Sequence, residues 1–309
     1  MKDQYVHHTE TIRTPAKINL HLEILARRTD GYHDLETLMV PISIFDSLSF
    51  TATSDEKLTL RCGWEPGIEA HRIASQHWGV ESPWEPLPAP EQNLAWRAIA
   101  RLREEAQVET GGHLRITKRI PAAAGLGGAS SNAAAALVLA NRGWNLHWDT
   151  DRLAELASRL GSDVPFFLYG EAAICRGRGE RIETLGTIPR LHVVVVRPLQ
   201  GLSTADVFRR CRVPESPQSC QPMADALRRG DNVAVAAGLH NRLHAASAAL
   251  SPSVARMVDA LQQVGGVGYS MSGSGTSHFV MCRNHRHAQT VAGRMRSIGI
   301  GAVFQAQSV

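Results

Sequence analysis

The sequence predicts a two-domain protein of mixed α+β and α/β class, in which short strands and amphipathic helices follow one another along the chain. Three observations carry that expectation. The chain has 309 residues, about two domains at roughly 150 residues each. Its 43% hydrophobic and 20% charged content is that of an ordinary globular protein and excludes intrinsic disorder, collagen-like repeats and coiled coils. Apolar residues recur at two-residue spacing in some stretches and at helical spacing in others.

Taken in order, the first strand runs from Thr14 to Arg28. Ile18, Leu20, Leu22 and Ile24 alternate there with Asn19, His21 and Glu23, as in a strand with one buried face. Asp30-Gly31 supplies the turn after it, because glycine tolerates positive φ. Residues 61–92 carry Pro66, Pro83, Pro86, Pro88 and Pro90 among tryptophans and charged residues, and read as an irregular surface excursion. A helix is expected from Leu94 to Glu105 and a strand from His113 to Ile120. Asn132–Ala140 is mostly Ala and Leu, which favours helix. Leu153, Leu156, Ala157 and Leu160 share one face of a helix over Asp151–Leu160, with Gly161 placed to stop it. Leu191–Val196 is a short β-branched run, hence a buried strand.

In the C-terminal portion, Ser251-Pro252 reads as a helix cap with proline in the first turn. Val254, Met257, Val258 and Leu261 form the apolar face of that helix. Gly265–Cys282 reads as two strands interrupted by Ser272-Gly-Ser-Gly-Thr276. A helix near Ala288–Ile298 and a strand at Ala302–Ala306 complete the pattern. The expected domains are residues 1–185 and 186–309.

Thirty-three Lys plus Arg against 29 Asp plus Glu give a formal charge of +4. The excess is spread along the chain, so it suits an anionic small-molecule substrate, and no basic run marks a nucleic-acid-binding arm. Cys62, Cys175, Cys211, Cys220 and Cys282 form no CxxC pair, which argues against a zinc ribbon or a disulfide framework and for reduced thiols. Residues 1–14 lack an apolar signal core, and no apolar run approaches the roughly 18–20 residues of a membrane span. The expected protein is cytoplasmic, without membrane or nucleic-acid partners, and a monomer or homodimer. His7-His8 is expected in an N-terminal tail. His240 and His244 lack the glutamate of a HExxH site, so no zinc is expected there. Trp96, Trp144 and Trp148 are read as packing residues.

The chemistry concentrates in three places. Pro121, Ala122, Ala123, Ala124, Gly125, Leu126, Gly127, Gly128, Ala129, Ser130 and Ser131 join a strand to a helix. Small residues there let an anion approach the backbone, and N–H groups at the helix start can donate to its oxygens. No lysine follows as in GxxxxGK[ST], and Ser130 replaces the third glycine of GxGxxG; a flexible turn capped by serine is the alternative. Lys17 lies on the first strand, where a lysine ordinarily solvates a surface. Asp163 precedes Val164-Pro165, where an aspartate ordinarily caps a helix. Beside a lysine in a phosphate-lined cleft, the same carboxylate is a candidate base for an alcohol.

Joint occurrence favours the functional readings. Pro15-Ala-Lys-Ile-Asn-Leu20, Pro121–Ser131 and Ser272–Thr276 resemble the three motifs of the GHMP small-molecule kinase superfamily, in order and across most of the chain. Asp30-Gly-Tyr-His33 and Gly161-Ser-Asp-Val-Pro-Phe166 are similar to the signatures of a branch of that superfamily. That branch phosphorylates the 2-hydroxyl of a cytidine-diphosphate-linked methylerythritol in non-mevalonate isoprenoid synthesis. The resemblance implies an N-terminal domain like ribosomal protein S5, a ferredoxin-like C-terminal domain and a cleft between them. It implies ATP and Mg²⁺ as cofactors. It makes Lys17 and Asp163 the catalytic pair: Asp163 takes the hydroxyl proton, while Lys17 orients the hydroxyl and keeps Asp163 ionised.

The resemblance further assigns Pro121–Ser131 to the ATP phosphates, and Gly273, Ser274 and Gly275 to the cleft floor beside the substrate. Tyr32 would stack on the cytosine and His33 would hydrogen-bond it, with Phe208 as the second stacking aromatic and Asn19 facing the same pocket. Stacking suits a pyrimidine, each base–aromatic contact being worth roughly 1–3 kcal/mol. Ser131 is one conceivable Mg²⁺ ligand and otherwise a helix cap. Two departures stand out. Asn241-Arg-Leu-His244 replaces the more usual Asn-Asp-Leu-Glu, and residues 61–92 exceed the family's length there, reading as an inert insertion rather than a cover or contact surface. A homoserine, sugar or mevalonate kinase of the same superfamily, and a non-catalytic binding protein of the same fold, are the alternative functions.

Overall fold

The structure, a computed structural model, describes residues 10–309; the expected His7-His8 tail lies outside the described residues. The chain opens with two long strands, β1 (Glu10–Arg27) and β2 (His33–Ala52), paired antiparallel through the Asp30-Gly31 turn. Sequence reading leaves β2 unassigned, and its Pro41 is a residue type that argues against a central strand. Pro41 is nevertheless accommodated. Its register partner Lys17 sends its amide N–H to the Leu126 carbonyl (2.9 Å), tying β1 to the glycine-rich loop.

The excursion over 61–92 is more ordered than its prolines suggest. Residues 61–64 belong to β3 (Leu58–Trp64), and α1 (Pro66–His77) follows, with Pro66 in its first turn where its missing N–H costs nothing. Nor is the segment inert. Trp84 packs edge-on against Phe304, 5.9 Å between ring centroids, and Glu85 pairs with the fully buried Arg197 at 3.1 Å. Proline rigidity fixes a strap that docks on the distant half of the chain.

Then come α2 (Leu94–Glu105), β4 (Gly112–Lys118), α3 (Gly128–Gly143), α4 (Thr150–Leu160), α5 (Val164–Tyr169), β5 (Ala173–Gly177) and β6 (Arg181–Thr184). The Asn93 side chain caps α2 and that of Asp149 caps α4. β7 (His192–Pro198), α6 (Thr204–Arg210), α7 (Gln221–Arg229), α8 (Asn232–Ala237), β8 (His240–Asn241) and α9 (His244–Leu250) lead to α10 (Pro252–Gln263). The chain ends through β9 (Gly268–Met271), β10 (His278–Cys282), α11 (His285–Ile298) and β11 (Gly301–Gln307). Among the described residues, one sheet has the order β3-β4-β2-β1-β8, with β5 and β6 branching from β2, and the second is β11-β7-β10-β9. The first sheet thus draws β8 from beyond residue 186.

Alternation explains the core. Val193 and Val195 of β7 pack with Ile18, Leu38 and Phe279 between the sheets, while Val194 and Val196 face Met257, Leu261, Val291 and Met295 of α10 and α11. Both faces of β7 are covered, so it reads as an unbroken apolar run. A separate cluster joins Leu48, Phe50, Leu114 and Ile116 to α2, α3 and α4. Trp144 packs there, its indole N–H donating to the Gly111 carbonyl.

Buried histidines set an acid limit on this fold. His278 is enclosed, and burial, then the neighbouring His244, bring its pKa down to about 3. Burial also lowers His21, His240 and His244 from the ordinary 6.5. On acidification the unfolded chain therefore takes up protons that the folded chain refuses, so stability falls as pH drops below about 6.5. The expected result is a declining urea midpoint from about pH 7.5 to about pH 5.5; a flat or rising midpoint would contradict it.

Candidate active site

A cavity of about 940 Å³ lies where β1, the loop before α3, the start of α5 and the Ser272–Thr276 loop converge. Lys17, Asn19, Tyr32, His33, Asp163, Phe208, Gly273, Ser274 and residues 121–130 all line it; Ser131 and Gly275 do not. Lys17 is no surface lysine, being 3% exposed. Its Nζ donates to Asn19 Oδ1 (2.6 Å) and stands 3.6 Å from Asp163 Oδ2. Asp163 sits at the cap position of α5, yet its side chain makes no capping hydrogen bond and is 36% exposed. Freed from that structural duty, the carboxylate is available to a ligand.

The glycine-rich loop meets the Ser272–Thr276 loop backbone to backbone. Gly125 (φ +72°) and Gly127 (φ +70°) are left-handed, and a Cβ on Gly125 would lie 2.0 Å from the Ser272 carbonyl. Only glycine permits that approach. The Ser272 hydroxyl donates to the Gly125 carbonyl at 2.8 Å. No side chain caps the start of α3, so its first N–H groups face the cavity end of a 16-residue helix with the dipole favouring an anion. Ser131 is no cap: its Oγ is buried and has no partner. Behind the loop, the enclosed Asp46 accepts from Lys118 Nζ and from the Arg119 and Ile120 N–H groups (2.6 and 2.8 Å), fixing the strand-to-loop exit.

The aromatics line the same cavity. The His33 and Phe208 rings lie 5.5 Å apart, with Phe208 carried on α6 and its helix capped by Ser203. Tyr32 is 55% exposed, and the Arg178 guanidinium sits 5.3 Å from its ring centre. Burial, then the charge of Arg27, lowers the His33 pKa, so near neutral pH the ring keeps one nitrogen as an acceptor. Gly273 is held from both sides. Its N–H donates to Asn19 Oδ1 (2.8 Å) and its carbonyl accepts from Asn241 Nδ2 (2.9 Å). Asn241 of the unusual Asn241–His244 stretch is thus a clamp on the loop, and Arg242 pairs with Glu23.

Sequence reasoning missed several cavity residues: Thr37, Leu87, Pro88, Lys118, Arg178 and Thr204. Thr204 lay within reach of sequence reading, four residues before Phe208 on one helical face; its hydroxyl meets that of Ser274 at 2.9 Å. Leu87 and Pro88 carried no signal, since an excursion rich in proline gives no hint of where it docks.

Comparison with known proteins accords with this arrangement. Residues 93–171 match the GHMP kinases N terminal domain and residues 223–301 match GHMP kinases C terminal. The fold and cleft are those of a GHMP kinase, a class that uses ATP as phosphoryl donor. A 4-diphosphocytidyl-2-C-methyl-D-erythritol kinase from Pelotomaculum thermopropionicum is 39% identical over 91% of this chain and 92% of its own. A crystal structure of 4-(cytidine 5'-diphospho)-2C-methyl-D-erythritol kinase superposes with a TM-score of 0.75 at 31% identity, covering 96% of this chain and 98% of that one. The chain belongs to the 4-diphosphocytidyl-2-C-methyl-D-erythritol kinase family. Homoserine kinase from Cytophaga hutchinsonii shares the fold (TM-score 0.72, 18% identity, 100% of this chain and 97% of that one). Among the described residues no helix is long and apolar enough to cross a membrane.

Proposed function

We propose that the protein transfers the γ-phosphoryl group of ATP to the 2-hydroxyl of 4-diphosphocytidyl-2-C-methyl-D-erythritol, giving ADP and the 2-phospho product. The observation that carries this reading is the meeting of Lys17 and Asp163 at 3.6 Å in one cavity with an anion-ready helix start and an aromatic pair. Residues 1–185 would supply the phosphate loop and the reacting pair, and residues 186–309 the facing wall. The five unpaired cysteines suit a cytoplasmic enzyme.

Phosphoryl transfer asks a protein chiefly to hold donor and acceptor in line and to offset charge on the transferring group. The N–H groups of residues 125–130 would hold the phosphates. Asp163 Oδ2 would take the proton of the attacking hydroxyl as that oxygen bonds to phosphorus, and Lys17 would steady both oxygen and carboxylate. Tyr32 and Phe208 would sandwich the cytosine while His33 accepts from its amino group. Ser131 does not fit Mg²⁺, because its partnerless hydroxyl is buried and lies outside the cavity lining. An ion accompanying ATP would be held by the nucleotide's phosphate oxygens and would offset their charge.

The test is ADP release by purified protein with ATP and each acceptor in turn. Turnover is expected with the cytidine substrate and not with homoserine, mevalonate or a simple sugar. ADP release with homoserine alone would replace this reading by the homoserine alternative, and binding without turnover would favour a non-catalytic protein.

A further inference from the structure

Lys17 owes its place to a hydrogen-bond relay that ends on β2, in a residue no site motif contains. Thr37 and Asn19 are both buried. The Thr37 hydroxyl donates to the His21 carbonyl at 2.6 Å. A carbonyl can only accept, so that bond consumes the single proton of the hydroxyl. Thr37 Oγ1 can then only accept from Asn19, and Asn19 Nδ2 stands 2.8 Å away. The amide is thereby oriented: its NH₂ faces Thr37, and its Oδ1 faces two obligate donors, Lys17 Nζ (2.6 Å) and the Gly273 N–H (2.8 Å). The reverse orientation would set an NH₂ group against an ammonium and an amide N–H. The geometry arises where β1 shifts register between Asn19 and His21 against β2, a local irregularity of the kind that re-aims side chains beside active sites.

We propose that Thr37 is a positioning residue. Through the Asn19 amide it fixes the Lys17 ammonium and the Gly273 backbone relative to each other, so the ammonium facing Asp163 and the loop facing the glycine-rich turn keep one geometry. The Asn19 side chain, expected to read substrate, is on this account occupied with holding the machinery. The inference rests on the reading of Lys17 and Asp163 as the reacting pair.

Thr37→Val keeps the shape and removes the hydroxyl. It is expected to lower kcat roughly 10- to 100-fold, the scale of a displaced hydrogen bond to a charged group. The KM for ATP is expected to change by less than about twofold, since no hydrogen bond of the Thr37 or Asn19 side chain goes to residues 121–131. Thr37→Ser is expected to recover kcat to within about threefold, because it restores the same donor and acceptor. In a Lys17→Met background the same Thr37→Val change is expected to cost less than about twofold, as coupled groups are non-additive. Thr37→Ala carries the same reading should the valine variant misfold. Wild-type kcat in both hydroxyl-less variants, a serine variant as impaired as they are, or an equal loss in the Lys17→Met background would overturn the inference alone. Wild-type turnover by Lys17→Met would overturn the reacting pair and this inference together.

Discussion

Asp163→Asn is expected to lower turnover by roughly 10²–10⁴-fold, the usual contribution of a positioned general base, while leaving the affinity for ATP close to that of the unaltered protein. The substitution is nearly isosteric and removes only the negative charge and the proton-accepting capacity. Asp163 makes no bond to the start of α5, so the helix loses no cap and the fold has no reason to change. Its ion-pair partner is the other concern. Lys17 Nζ retains Asn19 Oδ1 at 2.6 Å, and an amide oxygen at the Asp163 position can still accept from it. The loss is therefore expected in kcat, with the melting temperature nearly unchanged. Rates equal to the unaltered enzyme at saturating substrates would remove Asp163 from the role of base. A fall in ATP affinity matching the fall in turnover would instead make it a binding residue.

What the sequence made legible were features encoded locally. The glycine spacing of residues 125–128, the alternating β1 pattern and Gly161-Ser-Asp163 each carry their meaning within a few residues, because turn chemistry and strand period are short-range properties. Their convergence on one cavity followed from family resemblance, not from spacing. Less legible was everything fixed by a partner far along the chain. Asp46 looks like an ordinary polar residue late in a strand until Lys118 and the two amides after it close around its carboxylate. Arg197 reads as a charged end to a valine run, yet it is fully buried against Glu85, more than a hundred residues earlier. Thr37 lay in a strand that sequence reading left unassigned. Asn19 was read as facing the pocket, which it does, but the demands on its amide depend on Thr37, Gly273 and Lys17 together.

The same dependence on distant partners makes Glu23 the position where a single substitution should cost most stability. Its carboxylate is wholly buried and accepts from the Ile24 and Gln218 N–H groups (2.9 and 3.1 Å), from His240 Nε2 (3.2 Å) and twice from Arg242 (2.7 and 2.8 Å). Burial alone would raise its pKa, but the hydrogen bonds of Arg242, then of the Gln218 and Ile24 amides, prevail and bring it down to about 2. Glu23→Ala leaves all of these donors unanswered in the seam between β1 and β8. Breaking a buried ion pair costs about 3–5 kcal/mol, and the lower end applies here because Arg242 is 28% exposed and can turn to water. The seam also reaches the site, since Asn241 beside Arg242 holds the Gly273 carbonyl; loosening it is expected to weaken catalysis as well as folding. The pH dependence separates charge from packing. The folded pKa is depressed below the ordinary 4.5, so this stabilisation is complete above that value and fades as pH falls toward 2. The stability gap between the unaltered protein and Glu23→Gln is therefore expected to be large near pH 7 and to shrink by about pH 3. A gap of constant size across that range would assign the effect to packing and remove the buried carboxylate from its stabilising role.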